Sequence, residues 1–234
     1  ITSNPSPSSV QDSPSLPTGG SSPCSMPLDR SGSTESHWQN VYTSNDPTTV
    51  GWFQSEHEIT LDLFAQSGAT PADKIIDVGS GATTLLDQLI PLGFHHITAV
   101  DISPAGLAHS QSRLGNKITW IIDDITRPQK VLSLGQFDLW HDRAVLHFFT
   151  SCTEIEGYVN TLKSALRKGG HAIIEIFPNE GAGKCSGLPL QRYDEKMLQA
   201  LLGEQFQLLK CIKHTHVMPS GDKRPYVSCL FKRQ

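Results

Sequence analysis

The chain has 234 residues, a formal net charge of −4 and 37% hydrophobic residues, enough for one domain with a sizeable core. This balance excludes a polybasic nucleic-acid face, and the longest apolar runs are strand-length, which excludes a helix spanning a membrane. The five cysteines are odd in number and show neither CxxC spacing nor a disulfide framework, which fits a reducing, cytoplasmic compartment.

Residues 1–34 are half serine and proline, with almost no large apolar side chain. Such a segment cannot bury enough surface to offset its ordering entropy, so a disordered tail is expected there. It has neither the apolar core of a secretion signal nor the arginines of a mitochondrial presequence. Residues 35–234 then read as a single domain. Trp38, Tyr42, Trp52 and Phe53 place large rings ahead of the first strand, either capping one end of the core or covering a ligand. Ser55-Glu56-His57-Glu58 has capping-box spacing. It predicts a helix opening at Ser55, with Ile59, Leu63 and Phe64 inward and Gly68 near its end.

The stretch at 74–84 reads Lys-Ile-Ile-Asp-Val-Gly-Ser-Gly-Ala-Thr-Thr, an apolar β-branched run followed by two glycines. Leu85, Leu86, Leu89 and Ile90 then share a helical face, and Pro91 stops it. Strand, tight turn and helix make the first half of a βαβ unit. A second strand over 97–100 ends in Asp101, and Ser103-Pro104 opens a helix that closes at Gly115. The third strand, 118–122, ends in Asp123-Asp124; the fourth, 137–140, runs into His141-Asp142-Arg143. An amphipathic helix follows, with Ile155, Tyr158, Val159, Leu162 and Leu166 on one face, stopping at Arg167-Lys168-Gly169-Gly170. Residues 171–177 form the fifth strand, and Asp194 caps a helix carrying Met197, Leu198, Leu201 and Leu202 as far as Gly203. The last two strands, 206–217 and 226–231, are separated by a loop too short for a helical crossover, so they pair antiparallel. The order predicts an α/β fold: a doubly wound, mostly parallel seven-stranded sheet with helical crossovers, closed by an antiparallel C-terminal hairpin.

A glycine-rich turn between strand and helix, with an acid ending the next strand, is a nucleotide-type fingerprint. Gly79 and Gly81 let the turn fold tightly and let a ligand lie against backbone N–H groups. A nicotinamide site would place a third small residue where Thr84 stands, and Asp77 precedes the first glycine. Asp-Val-Gly-Ser-Gly-Ala-Thr at 77–83 instead resembles the first motif of class I S-adenosylmethionine-dependent methyltransferases, a resemblance running from about Trp38 to the C-terminus. It implies S-adenosylmethionine as cofactor, with Gly79 and Gly81 beside its methionine part and Asp101 on the ribose hydroxyls. One of Asp123 and Asp124 takes the adenine amino group, and the run Asp-Asp-Ile-Thr favours Asp124. In several members of that family a Tyr-Trp-type N-terminal segment covers the cofactor, which gives Trp38, Tyr42 and Trp52 that role. Asp77, Ser80, Ile102, Ile125 and His141 complete the expected cofactor set.

Methyl transfer from a sulfonium needs the acceptor lone pair held close and in line, and a base only if the acceptor arrives protonated. His141 and Asp142 are the candidates for that base, or for a group neutralising a cationic acceptor. Arg143 either clamps an acidic acceptor or pairs with Asp142. His147 reaches the same crevice or serves as a packing residue. The loop over 179–189 is the natural acceptor-side lid, with Cys185, Arg192 and Tyr193 as contacts. His214 and His216 share a strand face and His95-His96 are adjacent, yet neither pair has a third ligand nearby in sequence, so no metal is expected. The Trp-x-x-x-Tyr segment and the terminal hairpin resemble enzymes that methylate lysines of translation factors. The His-Asp-Arg run and the Cys-Ser-Gly-Leu-Pro loop look like uncharacterised bacterial enzymes presumed to act on small molecules. The lysine enzymes usually carry an Asp-Lys-Gly-type run after the fourth strand, which this chain lacks, so a small-molecule acceptor ranks ahead of a protein one. A nicotinamide oxidoreductase and a non-catalytic nucleotide-binding module are the readings from other classes.

Overall fold

The computed structural model describes residues 31–234. Most of the tail expected over 1–34 therefore lies outside the described residues, but helix α1 (Ser31–Ser44) begins inside it. Helix α2 (Glu58–Ser67) ends as expected at Gly68 in the left-handed conformation, yet it opens at His57 without a side-chain cap. The capping box at Ser55 does not form, since the helix begins only at Glu58, and the Ser55 and Gln54 carbonyls accept from the Gln88 and Thr84 side chains.

The sheet is built from β1 (Ile75–Val78), β2 (Ile97–Asp101), β3 (Thr119–Ile122), β4 (Phe137–Arg143), β5 (Leu166–Ile176), β8 (Phe206–Val217) and β9 (Lys223–Arg233). Its order is β3-β2-β1-β4-β5-β9-β8, with the first five strands parallel and the last two antiparallel to their neighbours. Helices α3 (Leu85–Leu89) and α4 (Pro104–Leu114) cross from β1 to β2 and from β2 to β3. Ser103 caps α4 by accepting the Gly106 N–H, and Pro104 sits at its start, where the missing N–H is no loss. The β3–β4 connection is only a short 3-10 turn over Val131–Leu134, not the full helical crossover expected.

Helix α5 (Cys152–Ala165) has a complete capping box, Ser151 with Glu154. It does not run to Arg167-Lys168-Gly169-Gly170: Leu166 is already extended and paired with Phe137 as the first residue of β5. Gly169, at φ 75°, and Gly170, whose added Cβ would meet the Asp138 carbonyl at 2.8 Å, absorb a register shift inside the strand rather than ending a helix. Between β5 and α6 (Glu195–Leu202), a small hairpin of β6 (Lys184–Cys185) and β7 (Leu188–Pro189) orders the loop expected as a lid.

Strand periodicity divides the core into two layers. Ile75, Leu139, Ile173 and Leu230 pack against α2, α3 and α4, while Ile76, Trp140, Ala172, Ile174 and Cys229 pack against α5 and α6. The winding reverses between β1 and β4, and it is beyond the carboxyl ends of these strands that an open α/β sheet leaves a crevice.

Candidate active site

At that reversal lies a cavity of about 150 Å³. Gly79, Asp101, Ile102, Asp123, Asp124 and Ile125 form its strand-end floor, and Trp38, Tyr42 and Trp52 stand over it. Arg143 and Cys185 close the far side together with Phe148 and Tyr226. A smaller cavity of about 50 Å³ shares Tyr42, Trp52, Gly79 and Arg143 with it and is lined by Asp77, Ser80 and His141.

The two glycines do admit a close approach, but of protein side chains. At Gly79 (φ 61°) an added Cβ would fall 2.0 Å from Val145 Cγ2; at Gly81 (φ 46°) it would fall 2.1 Å from the Tyr42 hydroxyl. Only glycine tolerates both the positive φ and the contact. Tyr42 is thereby pressed into the turn, its hydroxyl held un-ionised by burial and by the charge of Asp101. Helix α1 is anchored beside it: Gln39 Oε1 accepts the Ser103 hydroxyl and the Ala105 N–H. Trp38 meets Phe148 and Trp52 edge-on, with centroids 4.9 and 5.7 Å away, so α1, the loop after it and the turn after β4 form one roof.

The acids separate by how fully the backbone claims them. Asp123 accepts the N–H groups of Gln129, Lys130 and Val131, which commits it to holding the chain after β3. Asp124 keeps one oxygen on Thr126 and stands at the cavity wall. Asp101 accepts from Gly81 N on one oxygen and Ser103 N on the other. Burial pushes its carboxyl up to about 6, with those N–H groups pulling the other way.

His141 and Asp142 leave no free group for the acceptor. Side chains alternate along a strand, so neighbours face opposite layers. His141 points into the α2 layer, where Nδ1 lies 2.6 Å from Asp77 Oδ1 and Nε2 3.2 Å from Glu175 Oε1. Thr60 donates to that same Glu175 oxygen, Ser228 to the other, and Ser80 to Asp77. Burial disfavours the imidazolium, yet the hydrogen bonds and charges of Asp77 and Glu175 outweigh it and lift His141 to about 9. A doubly engaged imidazolium offers no lone pair to an acceptor. Asp142 points into the α5 layer and accepts from Tyr158 Oη at 2.6 Å and from the N–H groups of Val145 and Leu146. It lines neither cavity. The expected pairing of Asp142 with Arg143 is absent for the same reason, because the two side chains lie on opposite faces.

Arg143 donates from Nη1 to the Trp52 carbonyl, and its guanidinium lies 4.9 Å over the Tyr226 ring. Its Nε and Nη2 are buried without a hydrogen-bond partner. The other acceptor candidates divide. Cys185 reaches the cavity from β6. His147 is buried between Phe148 and Phe177, and burial, aided by Arg143 and Arg224, lowers it to about 3, so it is a neutral packing group. Arg192 turns back to the Gly181 carbonyl, and Tyr193 belongs to the α5-side core; neither lines the cavity. Sequence reasoning missed Glu175, Phe148 and Tyr226. Only the acid inside the apolar run of β5 carried a signal, since a buried carboxylate demands a partner. Among the described residues no cluster of three or more metal-ligating side chains occurs.

Residues 75–170, which span β1 to the start of β5, match the family of methyltransferase domains. The match covers less than half of the chain. A mouse EEF1A lysine methyltransferase 2 is 30% identical to the chain over 112 residues, 43% of this chain and 46% of that one. The human protein of that name is 32% identical over 87 residues. The chain thus spans less than half the length of these curated relatives. Among solved structures, a methyltransferase from Anabaena variabilis described as SAM-dependent superposes with a TM-score of 0.73 at 16% identity, covering 92% of this chain and all of that one. The Burkholderia thailandensis 1,6-didemethyltoxoflavin-N1-methyltransferase, solved with bound 1,6-didemethyltoxoflavin and S-adenosylhomocysteine, gives 0.65 at 19% identity over 91% of this chain and 94% of that one. At such identities the likeness establishes the fold. The chain shares with them a seven-stranded sheet, and its cavity lies at the reversal of that sheet.

Proposed function

We propose that the protein is an S-adenosylmethionine-dependent methyltransferase acting on a small-molecule acceptor. The observation that carries this reading is the cavity itself. One wall bears a carboxylate at the end of β2 and another just past β3, while a glycine turn and three aromatic rings enclose the rest. These groups fit the cofactor: Asp101 for the two ribose hydroxyls, Asp124 for the adenine amino group, and the Gly79 turn for the methionine end. When bound, S-adenosylmethionine supplies a methyl group on a sulfonium; the acceptor lone pair forms the new bond and the electrons of the old one stay on sulfur. The chain's own task is to exclude water with Trp38, Tyr42 and Trp52 and to hold the acceptor in line. His141 and Asp142 act from behind the strand ends, holding Asp77, Glu175 and the turn after β4 in place.

A lysine of a protein is the second reading, supported by the similarity to the EEF1A lysine methyltransferase 2 pair. The test has two parts. Calorimetry should show S-adenosylhomocysteine binding with one site, and cofactor labelled on the methyl group should mark one member of a panel of small molecules and proteins. Absence of binding to both forms of the cofactor would end the methyltransferase reading; label on protein lysine alone would favour the second.

A further inference from the structure

Resting on that reading, we infer that the acceptor is a small planar molecule carrying an anionic group, with the anion held by Arg143. The cavity is polarised, with Arg127 the one cation at its acid-rich end. Its four carboxylates, Asp101, Asp123, Asp124 and Glu154, lie toward β2, β3 and the start of α5, and all accept hydrogen bonds from the chain. The opposite end holds Arg143, whose Nε and Nη2 are buried with no partner among the described residues. A guanidinium out of water whose Nε and Nη2 both lack a partner is suited to a bidentate carboxylate. Glu175 is the near acid in β5, but its oxygens are occupied by Thr60, His141 and Ser228.

The walls beside Arg143 are aromatic. Trp38, Trp52 and Phe148 meet edge-on, and Tyr226 backs the guanidinium. Such surfaces stack a ring. They also argue against a lysine ε-ammonium as acceptor: two like charges about 4 Å apart at a partly shielded site repel by about 4 kcal/mol. Glu175, the near acid, already has its charge shared between His141 and Arg143.

The experiment uses the full chain saturated with S-adenosylhomocysteine. One-ring arylcarboxylates bearing a hydroxyl, amino or thiol group are titrated beside their neutral carboxamides. At least one carboxylate should bind tenfold or more tighter than its carboxamide. Arg143→Met should abolish that preference while leaving affinity for S-adenosylhomocysteine within a few-fold. Arg143→Lys, which keeps the charge and loses the fork, should lose part of the preference and serves if the Met variant does not fold. Equal binding of both series, or no binding of any arylcarboxylate at millimolar concentration, overturns the inference. So does a tenfold loss of S-adenosylhomocysteine affinity in Arg143→Met with the preference intact, which would assign Arg143 to the cofactor's own carboxylate. If wild type binds no S-adenosylhomocysteine, the cofactor reading fails on its own, and the carboxylate preference of the ligand-free chain still decides the role of Arg143.

Discussion

Replacing His141 by Gln tests whether the buried row through the sheet is held together by an imidazolium. Asp77 and Glu175 lie 2.6 and 3.2 Å from its two ring nitrogens, all three side chains nearly solvent-free. The variant leaves two carboxylates facing a single amide, and removing one member of a buried ion pair costs about 3–5 kcal/mol. For a domain of this size about 1 kcal/mol moves Tm by about 2–4 °C, so a fall of roughly 6–20 °C is expected. Glu175→Gln in the same chain should recover part of the loss, since it removes one of the stranded charges. The wild type carries a second signature in its pH dependence. Its folded His141 titrates at about 9, above the unfolded value near 6.5. The contribution is therefore complete below about pH 6.5 and is lost as pH rises through about 9, at about 1.4 kcal/mol per unit and about 3 kcal/mol in all. Urea unfolding across that range, with NMR of the imidazole, reads both. A ring that titrates near its ordinary value, together with a variant that melts within a degree or two of wild type, would refute the reasoning.

Asp101→Asn should weaken S-adenosylhomocysteine binding tenfold or more, because hydrogen bonds to a charged partner contribute about 1.5–3 kcal/mol each; calorimetry on the folded variant checks it. Gly81→Ala should lower both Tm and cofactor affinity, as its Cβ would lie 2.1 Å from the Tyr42 hydroxyl at φ 46°; Gly81→Ala with Tyr42→Phe should regain part of the stability. Asp142→Asn should lower stability by about 1–3 kcal/mol through its bonds to Tyr158 and the turn after β4, with cofactor affinity little changed. Chemical denaturation and calorimetry separate those two effects.

Much of the sheet was legible from the chain alone, because buried parallel strands read as apolar β-branched runs and their helices carry caps such as Ser103 and Asp194. The junction at Leu166 was not. Arg167-Lys168-Gly169-Gly170 has the composition of a helix end, and only pairing with Phe137 and Asp138 makes it a bulged strand. Ser55 did not cap the helix either: the 54–57 segment is tied by Gln88 and Thr84, distant in sequence, and the helix starts after it at Glu58. The cavity floor followed from where strands end, which is topology. Which of His141, Asp142 and Arg143 faces the cavity depends on the phase of the strand, and a three-residue polar run at a strand end does not reveal its phase.

That phase has a consequence for any mutational scan. Three consecutive positions of one strand have three different duties, although 141 and 143 share a face and the smaller cavity. Damage at position 141 should surface as an alkaline stability defect and at 142 as loosening of the α5 layer. Only 143 touches the chamber where small molecules would be chosen. A selection for altered substrate preference should therefore accumulate changes at 143 while 141 and 142 stay silent, and a selection for heat tolerance should do the reverse.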